Sequence, residues 1–321
     1  MKNILLVGAG QLGSRHLQSL AVSVESFDFS VVDPFEESLK IAKTRFEEVG
    51  NHTNHKISLF KSLKEVEENN FDLAIVATNS GVRFEVLKTS LELFKIKNII
   101  LEKVLFPRLD EYERAQLLIK ESGVDAWVNT PRRFYEFNRY LKKNYKWSPV
   151  QAKYENKSWG IGCNSVHFID LIQYLTGSEL VEVCSDRLNN KILESKRSGY
   201  IEFEGVLGCK FRDGSTLELN SDPDLNAGVM KIETSEFDFS INDAKGICEI
   251  FDKQGNQIET KSFTNPYQSQ LTLMTYNAIM KGEEHLPTYS ESMKEHVIFI
   301  KSLQGFMSKI KGEFIEVVSI T

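Results

Sequence analysis

Along the first 130 residues, short unbroken apolar runs alternate with stretches in which apolar positions recur every three or four residues. KNILLVG, FDFSVVD, FDLAIVAT, NIILE and VDAWVN read as strands, with a weaker one from Ile57 to Phe60. Helical patterns lie between them. One carries Leu12, Leu17 and Leu20, and another spans residues 34–49 with Pro34 near its start, where a missing N–H is harmless. A third carries Phe84, Leu87, Leu91 and Phe94, and LDEYERAQLLIKESG is a fourth, stopped by Gly123. This alternation predicts βαβ units on a parallel sheet, and the continuously apolar strands predict helices on both of its faces.

Beyond Asn129 the texture changes. RRFYEFNRYLKKNY predicts a basic helix, Gln151 to Tyr154 an extended segment, and HFIDLIQYL a helix behind a glycine-punctuated loop. From about 181 to 264, polarity alternates through YIEFEGVLGCKF, STLELN, FDFSI and GICEIF, with turn signals between them, as in an antiparallel sheet. Helices near 267–281 and 290–309 and a last short strand, EFIEVVS, follow. The expected architecture is α/β: a doubly wound parallel sheet over residues 1–128, then a second α/β domain with a mostly antiparallel sheet over 129–321.

Composition narrows the class. A chain of 321 residues suits two domains, and its 41% hydrophobic and 26% charged content excludes wholesale disorder, collagen and coiled coil. No run approaches the ~18 apolar residues of a membrane span, and MKNILLVGAG does not read as a signal peptide. With 39 basic and 45 acidic residues well mixed, the net charge of −6 gives no global attraction for nucleic acid. Cys163, Cys184, Cys209 and Cys248 have no metal-knuckle spacing, so no metal site is expected. The composition reads as a reduced cytoplasmic protein.

Chemistry enters with Gly8-Ala9-Gly10-Gln11-Leu12-Gly13, a GxGxxG turn between the first strand and the first helix. Gly8 permits the tight turn, Gly10 lets a pyrophosphate approach the backbone, and Gly13 lets helix and strand pack closely. The anion sits at the helix N-terminus, where N–H groups lack partners. Asp33 ends the second strand 20 residues after Gly13, where a carboxylate accepts both ribose hydroxyls. It would repel a 2′-phosphate, and Pro34-Phe35-Glu36-Glu37 offers no compensating arginine. The expected cofactor is NAD, with NADP disfavoured.

With ATNSGVRFEVLKTSL, ILEKVLF and HFID in order behind that turn, the chain resembles the glucose-fructose oxidoreductase/inositol dehydrogenase (Gfo/Idh/MocA) family. The likeness covers nearly the whole chain, and is strongest over residues 3–103 and 160–177. It implies a Rossmann domain joined to an α/β domain whose sheet commonly forms a subunit interface, hence a homo-oligomer, dimer or tetramer. It also implies a hydride transfer between NAD and a hydroxyl or carbonyl carbon of a sugar-type substrate. Thr78, Asn79 and Ser80 match the segment along the cofactor, and Arg83 stands where many members have a histidine. Glu102-Lys103 matches the Glu-Lys-Pro motif, whose lysine lies between nicotinamide and substrate. Arg133 resembles an arginine facing the substrate cleft, and His167 and Asp170 match a D-x-x-x-H-x-x-D pattern.

Two departures matter. Val104 replaces the proline, and a Lys–Val bond takes the cis form far less readily than Lys–Pro, so this turn is expected to differ in shape or to be strained. Cys163 replaces the first aspartate, and a thiol is a poorer anchor for a sugar hydroxyl. On a helix, Cys163, His167, Asp170 and Tyr174 share one face. His167 would exchange a proton near neutral pH, Asp170 could hold its tautomer, and Lys103 would stabilise developing alkoxide charge. Asn164 and Trp159 are further substrate candidates, although Trp159 suits packing equally well. Arg132, Arg133, Arg139, Lys142 and Lys143 read as a solvated helix face, and His52 and His55 as structural. A cofactor-binding sensor without turnover is the competing function.

Overall fold

In the computed structural model, which describes residues 1–147, 149–226, 228–283 and 286–321, the alternating first part of the chain forms the parallel sheet its pattern predicts. Its strands are β1 (Lys2–Val7), β2 (Phe27–Val32) and β3 (Lys56–Phe60), then the two-residue β4 (Asn70–Phe71), β5 (Leu73–Val76), the two-residue β6 (Lys95–Ile96), β7 (Asn98–Leu101) and β8 (Asp125–Val128). The six-stranded sheet runs β3-β2-β1-β5-β7-β8, all parallel, with β4 and β6 paired apart from it. Asp72 interrupts what reads in sequence as one strand: its carboxylate accepts from the Asn3 N–H and from Lys97 at 2.8 Å. The helices are α1 (Gln11–Leu20), α2 (Glu36–Glu47), α3 (Ser80–Leu93) and α4 (Leu109–Ser122). The β1 to β2 order reverses direction at β5, and such a sheet binds its ligand beyond the carboxyl ends of the strands at that point.

The second sheet has eight strands: β9 (Gln151–Asn156), β10 (Leu180–Leu188), β13 (Gly205–Phe211), β14 (Thr216–Ser221), β15 (Val229–Glu233), β16 (Phe237–Asn242), β17 (Ile247–Asp252) and β18 (Gln257–Ser262). The short pair β11 (Leu193–Glu194) and β12 (Ile201–Glu202) stands outside it. The order is β10-β13-β14-β9-β15-β16-β17-β18, antiparallel throughout except for the β9–β14 pair. Ala152, Leu217, Leu219, Ile232 and Ile250 are buried on one face, as the alternation requires. The helices here are α5 (Glu136–Asn144) and α6 (Ile161–Thr176), followed by α7 (Gln268–Lys281) and α8 (Tyr289–Lys311). No helix among the described residues is long and apolar enough to cross a membrane.

The chain divides into two units, and the division is not a single cut near residue 129. One unit is Met1–Phe106, Asp110–Asn129 and Pro266–Glu291; the other is Pro107–Leu109, Thr130–Asn265 and Ser292–Thr321. Residues 266–291 return to the first unit because α7 is apolar where α1 needs cover. Tyr276 and Leu286 join the core of Ile4, Leu17, Phe27 and Phe29, and Tyr276 meets the edge of Phe27 at 5.0 Å.

Three local expectations change. Tyr135 splits the basic helix into a 3-10 turn (Pro131–Phe134) and α5. That helix is not a solvated face: Arg132 lies over Phe168 at 4.2 Å, Arg139 over Phe134 at 5.0 Å and Lys142 over Tyr174 at 3.8 Å. The last segment forms no strand. It is instead tied at two points, Val318 N–H to Pro107 O at 2.9 Å and Ile201 N–H to Ser319 O at 2.8 Å, with Val318 and Ile320 buried.

Candidate active site

In the first unit the glycine turn has the geometry its residues predict. Gly8 has φ +93°, and a Cβ there would meet the Ala77–Thr78 backbone at 2.8 Å. A Cβ on Gly13 would come within 1.8 Å of Gly8 O, which is why α1 can lie close to β1 only with glycine there. A Cβ on Gly10 meets nothing within 4 Å. Gly10 caps α1 without a side-chain hydrogen bond, and the first turn, beginning at Gln11 and Leu12, holds no acidic residue. The helix therefore presents an open, uncapped N-terminus, the setting that accepts a phosphate.

Asp33 is 6% exposed. It accepts from Ala9 N–H at 2.7 Å and Phe35 N–H at 2.9 Å, so it ties the glycine turn to the end of β2. An ionised carboxylate has about four acceptor positions, which leaves capacity for ribose hydroxyls. At the carboxyl end of β5, Thr78 Oγ1 and Asn79 Oδ1 are buried and find no hydrogen-bond partner among the described residues. Orphaned buried polar atoms are rare, and here they flank the glycine turn, as a site awaiting a polar ligand requires. Ser80 begins α3 and is buried. These residues fit a dinucleotide.

Nothing in the local sequence singles out Arg45. From α2 it donates to Gln11 Oε1 at 2.7 Å and to Ser14 Oγ, which brings a cation to the first turn of α1. His16 Nε2 pairs with Glu102 Oε1 at 2.8 Å and its Nδ1 with Thr272 Oγ1 at 2.9 Å, with both His16 and Glu102 at 2% exposure or less. Asn129 donates to the same Glu102 oxygen and to Gln268 Oε1. Burial opposes the ionisation of Glu102, but the hydrogen bond and charge of His16, with the Asn129 bond, hold its carboxyl below the usual range. Glu102 thus points into the protein, and Lys103 follows it half-buried at the end of β7. The spacing of His16, three residues after Gly13 and so on the sheet-facing side of α1, is the one sequence signal for this contact.

Arg83 is 1% exposed. Its guanidinium donates to the main-chain carbonyls of Thr78, Val104 and Leu105, the last at 3.0 Å. The Lys103–Val104 peptide bond is cis.

In the second unit, α6 carries Cys163, His167, Asp170 and Tyr174. Asp170 is fully buried and is gripped by Arg133, from Nε at 3.1 Å and from Nη2. The arginine and aspartate therefore meet each other. His167 is half-buried one turn before this pair. At the start of α6, both oxygens of Glu202 accept helix N–H groups, Gly162 at 2.7 Å and Cys163 at 3.0 Å. Asn164 donates to Trp159 O at 2.8 Å, and the Trp159 indole donates to Asn220 O at 2.8 Å while meeting the rings of Tyr154 and Phe168 at 5.0 and 5.3 Å. These contacts are those of a packing side chain. His55 is structural: Phe27 N–H donates to it at 3.1 Å, and burial lowers its pKa.

A glycine turn with an open helix N-terminus, a buried aspartate at the end of β2 and a parallel sheet of this order together define a dinucleotide-binding protein. Residues 2–130 match the model of the Gfo/Idh/MocA family, "Oxidoreductase family, NAD-binding Rossmann fold". Over 225 residues the chain is 26% identical to scyllo-inositol 2-dehydrogenase (NAD(+)) of Bacillus subtilis, covering 62% of this chain and 63% of that protein. Its match therefore spans less than two thirds of that relative. UDP-N-acetylglucosamine 3-dehydrogenase from Acidithiobacillus ferrooxidans has the same fold, with a TM-score of 0.73 at 15% identity over 95% of this chain and 97% of that one. So does the super-repressor mutant of Gal80p from Saccharomyces cerevisiae, with a TM-score of 0.72 at 16% identity over 99% and 98%.

Proposed function

We propose that this protein is an NAD-dependent dehydrogenase that moves a hydride between nicotinamide and a hydroxyl or carbonyl carbon of a sugar, a cyclic polyol or a nucleotide-linked sugar. The observation that carries the reading is the open helix N-terminus at Gly10 beside the unpartnered Thr78 Oγ1 and Asn79 Oδ1. Gly8, Gly10, Gln11, Leu12 and Gly13 would cradle the pyrophosphate, Asp33 the ribose, and Thr78, Asn79 and Ser80 the nicotinamide side. Bound NAD supplies the hydride acceptor. Lys103 donates a hydrogen bond to the reacting oxygen, and His167 exchanges the hydroxyl proton. Arg133 and Asp170 hold each other, and through that pair they set the face of α6 on which Cys163 and His167 stand; Asn164 and Cys163 border the substrate. The test is NADH absorbance with scyllo-inositol and UDP-N-acetylglucosamine as first probes. Lys103→Met and His167→Asn abolish turnover while NAD still binds; retained turnover in both refutes the roles given to them.

A second reading, an NAD-binding sensor without turnover, is favoured by the fold shared with Gal80p and by the Val104 and Cys163 departures. Ligand-dependent association with a partner and no redox change in bound NAD would select it. We also propose a homo-oligomer. The outward face of the second sheet carries Lys153, Lys210, Lys231, Glu182, Glu218 and Glu233, a mixture that can pair with itself across a two-fold axis. Four free cysteines suit a reducing cytoplasm.

A further inference from the structure

We propose that Arg83 is a positioning residue that locks the two backbone segments of the first unit on which hydride transfer depends. One segment follows β5 and presents Thr78 Oγ1 and Asn79 Oδ1; the other follows β7 and presents Lys103. A single guanidinium on α3 donates to Thr78 O in the first and to Val104 O and Leu105 O in the second. At 1% exposure and with a charge it cannot lose, the group must be solvated by these carbonyls, so it holds both segments to itself. The fork shape is essential. Its donors lie in one plane at fixed angles and reach two chain segments at once, whereas a lysine ammonium on a flexible stem is a single point. The arrangement also accounts for two sequence features together: the family's proline after the lysine is absent, and an arginine at residue 83 bonds the carbonyls of the two residues that follow Lys103. Arg83 thereby acts on catalysis through others. It fixes where Lys103 stands relative to the cofactor-facing Thr78 segment, and touches no reacting atom. The inference rests on the role proposed for Lys103.

The experiment uses the full chain with NADH as probe. Lysines are reductively methylated with 13C-formaldehyde, and the Lys103 resonance is assigned by its loss in Lys103→Arg. In the wild type, NADH shifts the Lys103 resonance. In Arg83→Lys and Arg83→Ala the same titration gives about tenfold weaker NADH affinity and a Lys103 resonance that no longer responds, and millimolar guanidinium restores both in Arg83→Ala. A merely structural arginine would leave folded variants with wild-type NADH affinity and a wild-type Lys103 response, and that result overturns the proposal. Should neither variant fold, the wild type still decides: Arg83 guanidinium N–H resonances that are separate and slow to exchange support the lock, and a single averaged, fast-exchanging signal overturns it. Absence of turnover with every sugar probe would refute the dehydrogenase reading and leave these outcomes unaffected.

Discussion

Asp33 holds the Ala9 and Phe35 N–H groups on one carboxylate, and in the proposed function its remaining acceptor positions take a ribose. Hydrogen bonds to a charged group contribute about 1.5–3 kcal/mol, so Asp33→Ala is expected to weaken NAD binding roughly 10- to 100-fold by calorimetry. Glu102 has a different dependence. Its pKa is depressed in the folded protein, so its contribution to stability is full above the unfolded value near 4.3 and is lost as pH falls through the folded value. Glu102→Gln should therefore lower stability by about 1.5–3 kcal/mol at pH 7, and the gap from wild type in urea midpoint should shrink steadily below about pH 4. A gap that is constant with pH would mean that the carboxylate is not ionised beside His16. Asp170 and Arg133 form a buried pair, and removing one partner from such a pair costs about 3–5 kcal/mol. Asp170→Asn is expected to destabilise near the low end of that range, and Arg133→Met combined with Asp170→Leu to destabilise less than the sum of the single changes.

At the scale of elements, the two ends of one short turn make opposite predictions. Gly13→Ala places a methyl 1.8 Å from Gly8 O and must push α1 off β1, so the protein should lose stability whether or not NAD is present. Gly10→Ala places its methyl in open space. Its thermal midpoint should match wild type while NAD affinity falls, because the methyl occupies the approach to the helix N-terminus. Equal loss of stability in both variants would contradict the assignment of Gly10 to ligand. Helix α6 has the opposite kind of N-terminus, already filled by Glu202. Glu202→Ala should cost about 0.5–2 kcal/mol and speed amide exchange at Gly162 and Cys163.

Across the whole molecule, the alternation of apolar runs and helical spacings made the parallel sheet legible, because strands covered on both faces have few other sequence solutions. The glycine turn and Asp33 were legible for the same reason: each residue type answers a local backbone demand. Side-chain destinations over long separations were not. Nothing local in Arg83 says that its guanidinium will reach Val104 and Leu105, or in Arg133 that it will close on Asp170. The return of residues 266–291 to the first unit was hidden too, since the apolar face of α7 names no partner until Phe27 and α1 are in place. Docking of the chain end by two backbone hydrogen bonds resembles a strand in sequence and differs from one only in lacking a continuous ladder. The most direct test of the account is calorimetric titration of NAD and NADP into folded protein stripped of endogenous ligand. The account predicts saturable heat from NAD, weaker heat from NADP and a marked loss of NAD affinity in Asp33→Ala; heat from neither coenzyme, or a preference for NADP, would contradict it.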